Sequence, residues 1–285
     1  MAVNLGDLGV LGKEVIYKDV YDANLLFAIE RNINRKKLNL NNKLPFCGYD
    51  IWRCYEISWL GPKGKPEVAI LNLSIPADSK YLVESKSLKL YLNSFNASVF
   101  DSVNKIKDVI KQDLERKLNC EIKVDIDLIS DKNILDKKFN SLSGKCLDDL
   151  DIDINNYKLD KNILDVNKNK IANNISESLY THLFKSNCPI TNQPDWASVW
   201  ISYSGEYQIN HEKLLKYLIS FRNNQEFHEH CVERIFMDII EICNVDKLTV
   251  AAFYTRRGGI DINPLRSNDK DNILDLEMNL RLIRQ

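Results

Sequence analysis

At 285 residues, the chain is long enough for one large domain or two of ordinary size. Its 44% hydrophobic and 28% charged residues suit a globular protein with a sizeable core. Its net charge of −1 excludes a global field that would draw it onto nucleic acid or anionic lipid.

No apolar run approaches the roughly 20 residues that span a bilayer. Residues 1–15, MAVNLGDLGVLGKEV, carry an acid before the first lysine and no long apolar core, so they do not read as a signal peptide. The expected compartment is the cytoplasm. Cys47, Cys54, Cys120, Cys146, Cys188, Cys231 and Cys243 are odd in number and form no C-x-x-C, which argues against a disulfide framework and the commonest zinc spacing.

In chain order, RCYEISWL and PEVAILNLSIPAD flank the turn-rich GPKGK and predict an antiparallel hairpin. Two helical stretches follow, the second over about 103–118. Ile122, Val124, Ile126 and Leu128 then alternate as in a half-buried strand. The stretch from about 146 to 175 starts as a strand and becomes an Asn/Lys/Asp-rich linker. ASVWISYSG predicts a strand, 226–243 a helix with Phe227, Cys231, Ile235 and Ile239 in one stripe, KLTVAAFYT a strand, RRGG a turn and IDINPLR a last strand.

The halves echo each other. Tyr91–Phe95 and Tyr217–Phe221 share Tyr-Leu-x-Ser-Phe, and YDIWRCYEISWLG echoes PDWASVWISYSG, with Asp50 matching Asp195 and Trp52 matching Trp196. Two echoes in one order predict a duplicated β-β-α-α-β-β unit, an α+β architecture. The expected division is residues 1–150, a polar linker over 151–175, and residues 176–285. The recurring NILD at 133, 162 and 272 reads as compositional noise.

No dinucleotide-binding glycine fingerprint, Walker A or G-x-S-x-G motif is present. FHEHC (227–231) offers His228, His230 and Cys231, with Glu233 beyond. Neighbours two apart on a helix diverge, so core packing is the favoured reading of Cys231 over a metal site. Glu229 near a helix start reads as a dipole-stabilised carboxylate or as a recognition group for a guanine-like edge. Glu84 follows a strand in ESKSLK, ordinarily a solvated loop. Arg256 and Arg257 before two glycines fit a phosphate clamp or a plain turn. Cys188, in the loop SNCPITNQPDW, reads as a reactive thiol with Asp195 as its acid partner; a turn role for both is equally open.

Taken together, ESKSLKLYLNSFN, SNCPITNQPDW, FHEHCVERI and YTRRGGIDINP, supported by GYDIWRCYEISWL, resemble the NADPH-dependent 7-cyano-7-deazaguanine reductases, the nitrile reductases, in their long two-module form. The resemblance covers nearly the whole chain. It implies tandem tunnelling-fold modules, with antiparallel sheets forming a barrel and helices outside. It implies reduction of a nitrile to a primary aminomethyl group with two NADPH, making the precursor base of the tRNA nucleoside queuosine. Carried over, Cys188 is the nucleophile and Asp195 the proton donor. Val83, Glu84, Ser85, His228 and Glu229 hold the 7-deazapurine, and Ser85, Lys86, Arg257 and Gly258 contact NADPH. A homodimer, a site where halves or subunits meet, no metal, and no nucleic-acid or membrane partner complete the expectation. The alternatives are a metal-dependent GTP cyclohydrolase-like enzyme of the same fold using Cys and His ligands, and a non-catalytic purine-binding or tRNA-interacting module.

Overall fold

The computed structural model describes residues 17–40, 43–131, 139–269 and 280–285, with only the backbone of 169–174. The expectations for residues 1–15 and for NILD at 133 and 272 lie outside the described residues. Contacts divide the chain into two compact units, Met1–Lys37 with Tyr49–Lys138 and Arg256–Ile262, and Leu38–Gly48 with Phe139–Thr255 and Asn263–Gln285. Each unit is thus assembled from several chain segments, whereas the sequence reading drew continuous stretches.

In the first unit, β1 (Ala28–Glu30) leads into a one-turn helix, α1 (Asn32–Arg35). Strand β2 (Cys47–Leu60, in this unit from Tyr49) and β3 (Pro66–Pro76) form the predicted hairpin, in register from Tyr49↔Pro76 to Leu60↔Pro66. Strand β4 (Tyr81–Val83) pairs with β1, Val83 opposite Ala28. Helices α2 (Ser85–Asn93) and α3 (Val103–Leu118) follow, then β5 (Lys123–Leu128), antiparallel to β3. Val124 is buried and Ile126 and Leu128 pack partly against the same core, as the alternation requires.

The second unit orders its strands β10-β9-β8-β7-β6. They are β6 (Lys145–Cys146), β7 (Val166–Asn187), β8 (Pro194–Ile209), β9 (Val245–Tyr254) and β10 (Ile260–Ser267, in this unit from Asn263). All neighbours are antiparallel except the β6–β7 pair. Helices α4 (His211–Ser220) and α5 (His228–Cys243) come between β8 and β9.

The likeness between the halves is clearest in the helices. In α3, Ile106, Ile110, Leu114 and Leu118 recur every fourth residue and are fully buried; in α5 the stripe is Cys231, Ile235, Ile239 and Cys243. Tyr91 donates its hydroxyl to Asp113 at 2.8 Å and Tyr217 to Asp238 at 2.6 Å. Each tyrosine meets the Phe four residues on edge-to-face, at 5.2 Å for Phe95 and 5.4 Å for Phe221. Asn119 and Asn244 end α3 and α5 in the left-handed region.

The strand echo does not match in the same way. β2 opens its hairpin, whereas β8 closes its own and lies between β7 and β9, the position β3 holds between β2 and β5. The Asp50–Asp195 correspondence is therefore not a topological one. The sixth element also differs, since β6 pairs in parallel with β7 instead of following β5 into the first unit. Within 151–175, read as linker, Val166 already begins β7. Backbone pairing such as Val166↔Ile209 and Ile175↔Gly205 holds a polar strand that propensity alone disfavours. Among the described residues, the ladders of neither unit close into a barrel. No described helix is long and apolar enough to cross a membrane.

Candidate active site

Cys188 follows the last residue of β7 and opens the turn into β8. Its N–H donates to the Gln193 carbonyl at 2.9 Å and its own carbonyl accepts from Asn192 N–H at 3.0 Å. Asn192 sits at φ 55°, a conformation asparagine tolerates better than most residues. The thiol is part-exposed, whereas Cys54, Cys231 and Cys243 are buried. Burial pushes the Cys243 thiol up to about 12 and raises those of Cys54 and Cys231 further, so these are poor nucleophiles.

Asp195, the second residue of β8, is 3% exposed and lies opposite Ser186 in the ladder. Its Oδ2 is 3.3 Å from His228 Nε2. His228 is the first residue of α5, and its ring stacks on Tyr254 at 3.8 Å with only 12° between the planes. The segment before α5 is tied to the Cys188 turn. Asn187 N–H donates to the Asn224 carbonyl at 2.8 Å, and Glu226 N–H donates back to the Asn187 carbonyl at 3.2 Å. The Glu226 carboxylate accepts from both Arg234 Nε, at 2.9 Å, and Arg234 Nη2. Glu229, on the first turn of α5, is 2% exposed. The second unit therefore brings Asp195 to His228 and ties the Cys188 turn to the segment before α5, with Glu229 following His228 on the first turn of that helix.

The other predicted residues gather in the first unit. Val83 ends β4, and Glu84 caps α2, accepting from Lys86 N–H at 2.9 Å and Ser87 N–H at 2.8 Å. Burial raises the Glu84 pKa despite those bonds. Ser85 and Lys86 form the first turn of α2, and Lys89 lies one turn on. Lys89 Nζ donates to the Gly258 carbonyl at 2.8 Å and pairs with Glu56 at 2.9 Å. Gly258 (φ 57°) and Gly259 (φ 75°) form the tip of a two-residue hairpin closed by Arg257 N–H to the Ile260 carbonyl at 2.9 Å. At φ 75° Gly259 holds a backbone conformation that favours glycine, whereas the Glu56 carboxylate that a Cβ would meet is the movable end of a half-exposed side chain. The Arg256 guanidinium covers the Tyr55 ring at 3.5 Å. Lys89 is thus placed at the glycine tip and Arg256 and Arg257 precede it in the chain, with Lys86 one turn before Lys89, a setting suited to phosphate groups.

Sequence reasoning missed Tyr254 and Lys89. The signal for Lys89 was its i+3 spacing from Lys86 in ESKSLK. Tyr254 offered only an aromatic at the end of an apolar strand. Among the described residues, no group of three or more His, Cys, Asp or Glu side chains is placed to hold a metal ion.

Comparison with known proteins bears on both units. A family model described as "Nitrile reductase, 7-cyano-7-deazaguanine-reductase N-term" matches residues 17–126, and one described as "QueF-like protein" matches residues 194–272. Proteins named NADPH-dependent 7-cyano-7-deazaguanine reductase from Burkholderia cenocepacia (strain HI2424) and Burkholderia multivorans (strain ATCC 17616 / 249) are each 47% identical over 275 residues. The alignments cover 96% of this chain and 98% and 97% of theirs. A solved structure of the archaeosine synthase QueF-Like in the apo form aligns at TM-score 0.30 and 17% identity, over 34% of this chain and 95% of that one, too slight a likeness to argue from. With 47% identity along nearly the full length of both chains, this chain belongs to the NADPH-dependent 7-cyano-7-deazaguanine reductase family.

Proposed function

We propose that the protein reduces the nitrile of 7-cyano-7-deazaguanine to the primary amine through a covalent thioimidate on Cys188. The observation that carries this reading is the convergence of Cys188, Asp195 and His228 at one end of the β7–β8 hairpin, with Asp195 held at 3.3 Å from His228 Nε2. A nitrile carbon is a weak electrophile, and thiolate addition converts it to a C=N carbon that accepts hydride. The Cys188 sulfur bonds to the nitrile carbon as Asp195 gives a proton to the nitrile nitrogen. After the first reduction the C–S bond breaks and Cys188 leaves, giving an imine. The second reduction completes the balance of one nitrile, two hydrides and two protons to one aminomethyl group.

Glu229 accepts from the ring N–H and exocyclic amine of the base, a bidentate charge-assisted contact. Val83, Glu84, Ser85 and His228 complete the hold on the base. Ser85, Lys86, Arg257 and Gly258 bind the cofactor, and the glycine tip with its surrounding cations fits a dinucleotide phosphate. Bound there, NADPH supplies the hydride for each reduction. The product is the precursor base of queuosine, made in the cytoplasm by a homodimer of tandem tunnelling-fold modules whose sheets join into a barrel; the duplicated helix pair and family membership support that assembly.

The test is intact mass after incubation with the nitrile and no NADPH. Wild type gains one substrate mass per chain and Cys188→Ala gains none. An adduct on Cys188→Ala would sink the reading.

A further inference from the structure

We propose that Tyr254 is a positioning residue, its ring being the platform that holds the His228 imidazole against Asp195. The inference rests on the reading of Asp195 as the proton donor.

His228 has few other restraints. It opens α5, where Phe227 provides no side-chain cap. Its Nδ1 is buried and has no hydrogen-bond partner among the described residues. A functional imidazole is commonly oriented by a hydrogen bond at its second nitrogen, and here that tether is absent. What remains is Asp195 at Nε2 and the face of Tyr254, nearly parallel at 3.8 Å.

Tyr254 is built to be immobile. It is fully buried and meets Phe184 edge-on at 6.3 Å. It ends β9 opposite Ala197 of β8, two residues from Asp195, and the next N–H, Thr255, donates to the Trp196 carbonyl at 2.9 Å. Asp195 and Tyr254 therefore ride on adjoining strands whose spacing the ladder sets, and the helix inserts His228 between them. The phenol lies against Cys231 and Ser186, and burial foremost drives its pKa far above the usual tyrosine range. What Tyr254 presents to His228 is the face of its ring.

Two variants separate ring from hydroxyl. Tyr254→Phe keeps the platform, and Tyr254→Leu removes it. In free wild-type protein the His228 ring protons lie over an aromatic face and should resonate upfield, assigned among the four histidines with His228→Gln. The shift should persist in Tyr254→Phe and vanish in Tyr254→Leu. Turnover should stay within about 3-fold in the first and fall by about 10²-fold in the second, with the KM for NADPH unchanged, since ångström-scale misplacement carries losses of that order.

An unchanged shift in Tyr254→Leu would overturn the proposal, as would equal turnover in the two variants. If Tyr254→Leu does not fold, Tyr254→Met, with its longer unbranched chain, takes its place under the same criteria. Asp195→Asn distinguishes the underlying reading. Full turnover there sinks the acid assignment, whereas a crippled Asp195→Asn beside a fully active Tyr254→Leu sinks the positioning role alone.

Discussion

Replacing Glu84 separates what that carboxylate does for the fold from the role proposed for it toward the base. Its two backbone hydrogen bonds, at 2.9 and 2.8 Å, hold the first turn of α2. A bond to a charged acceptor is worth about 1.5–3 kcal/mol, but burial of a 2%-exposed carboxylate offsets much of that. The net cost of Glu84→Ala should be that of a lost cap, about 1–2 kcal/mol, which lowers Tm by roughly 2–6 °C in a chain of this size. Glu84→Gln keeps a capping oxygen without the buried charge and should be near neutral where Glu84 is protonated.

The pH dependence follows from the raised pKa. The unfolded chain ionises first, so the stability contributed by the protonated group is present below the unfolded pKa of about 4.3 and is lost as pH rises through the folded value. Glu84→Gln lacks this loss, so its stability relative to wild type should improve from pH 4 upward and then level off. Thermal unfolding across that range without ligand is the assay, paired with calorimetry of base binding, which the Gln variant should lose. A Glu84→Ala protein as stable as wild type would refute the capping argument. A pH-independent gap between Gln and wild type would refute the burial argument.

Glu229→Leu should weaken base binding by about 3 kcal/mol, since a bidentate charged contact is lost and the guanine edge is left unpaired; unchanged affinity in calorimetry would remove Glu229 from that role. Gly259→Ala puts a side chain on backbone at φ 75°, so it should cost about 1–3 kcal/mol of stability in a thermal melt and raise the KM for NADPH; a silent substitution would show that the glycine tip is not needed. Tyr217→Phe should cost about 1–3 kcal/mol in urea unfolding, and Tyr91→Phe less, because Asp113 keeps a second donor in the Tyr21 hydroxyl at 2.6 Å. Equal losses would contradict that difference.

Much of the scaffold was legible because its signals are local. The helix expected over about 103–118 is α3, Val103–Leu118, and the alternation from Ile122 to Leu128 marks β5. The outer half of β7 was not legible, because backbone pairing with β8 and not side-chain preference makes VNKNKIANNI a strand. The second echo misled for a related reason. Short Trp/Ile/Ser strands resemble one another whatever their place in a sheet, whereas a buried Tyr–Asp pair constrains two helices at once. In the site, residue types suggested Cys188 and Asp195 without deciding between chemistry and a turn. The Asn187 backbone bonds to the 224–226 segment are long-range and leave no trace in composition, yet they bring His228 to Asp195.

The twin helices α3 and α5 have diverged at their first residues. Ser102 accepts from Lys105 N–H at 3.3 Å to close α3, while Phe227, at the same place before α5, provides no such bond. A lost cap of this kind costs about 1 kcal/mol, which corresponds to roughly fivefold faster local opening if the two helices are otherwise alike. Amides in the first turn of α5 should therefore exchange with deuterium ahead of their counterparts in α3. The capped start belongs to α3, and the uncapped one to the turn that carries His228 and Glu229.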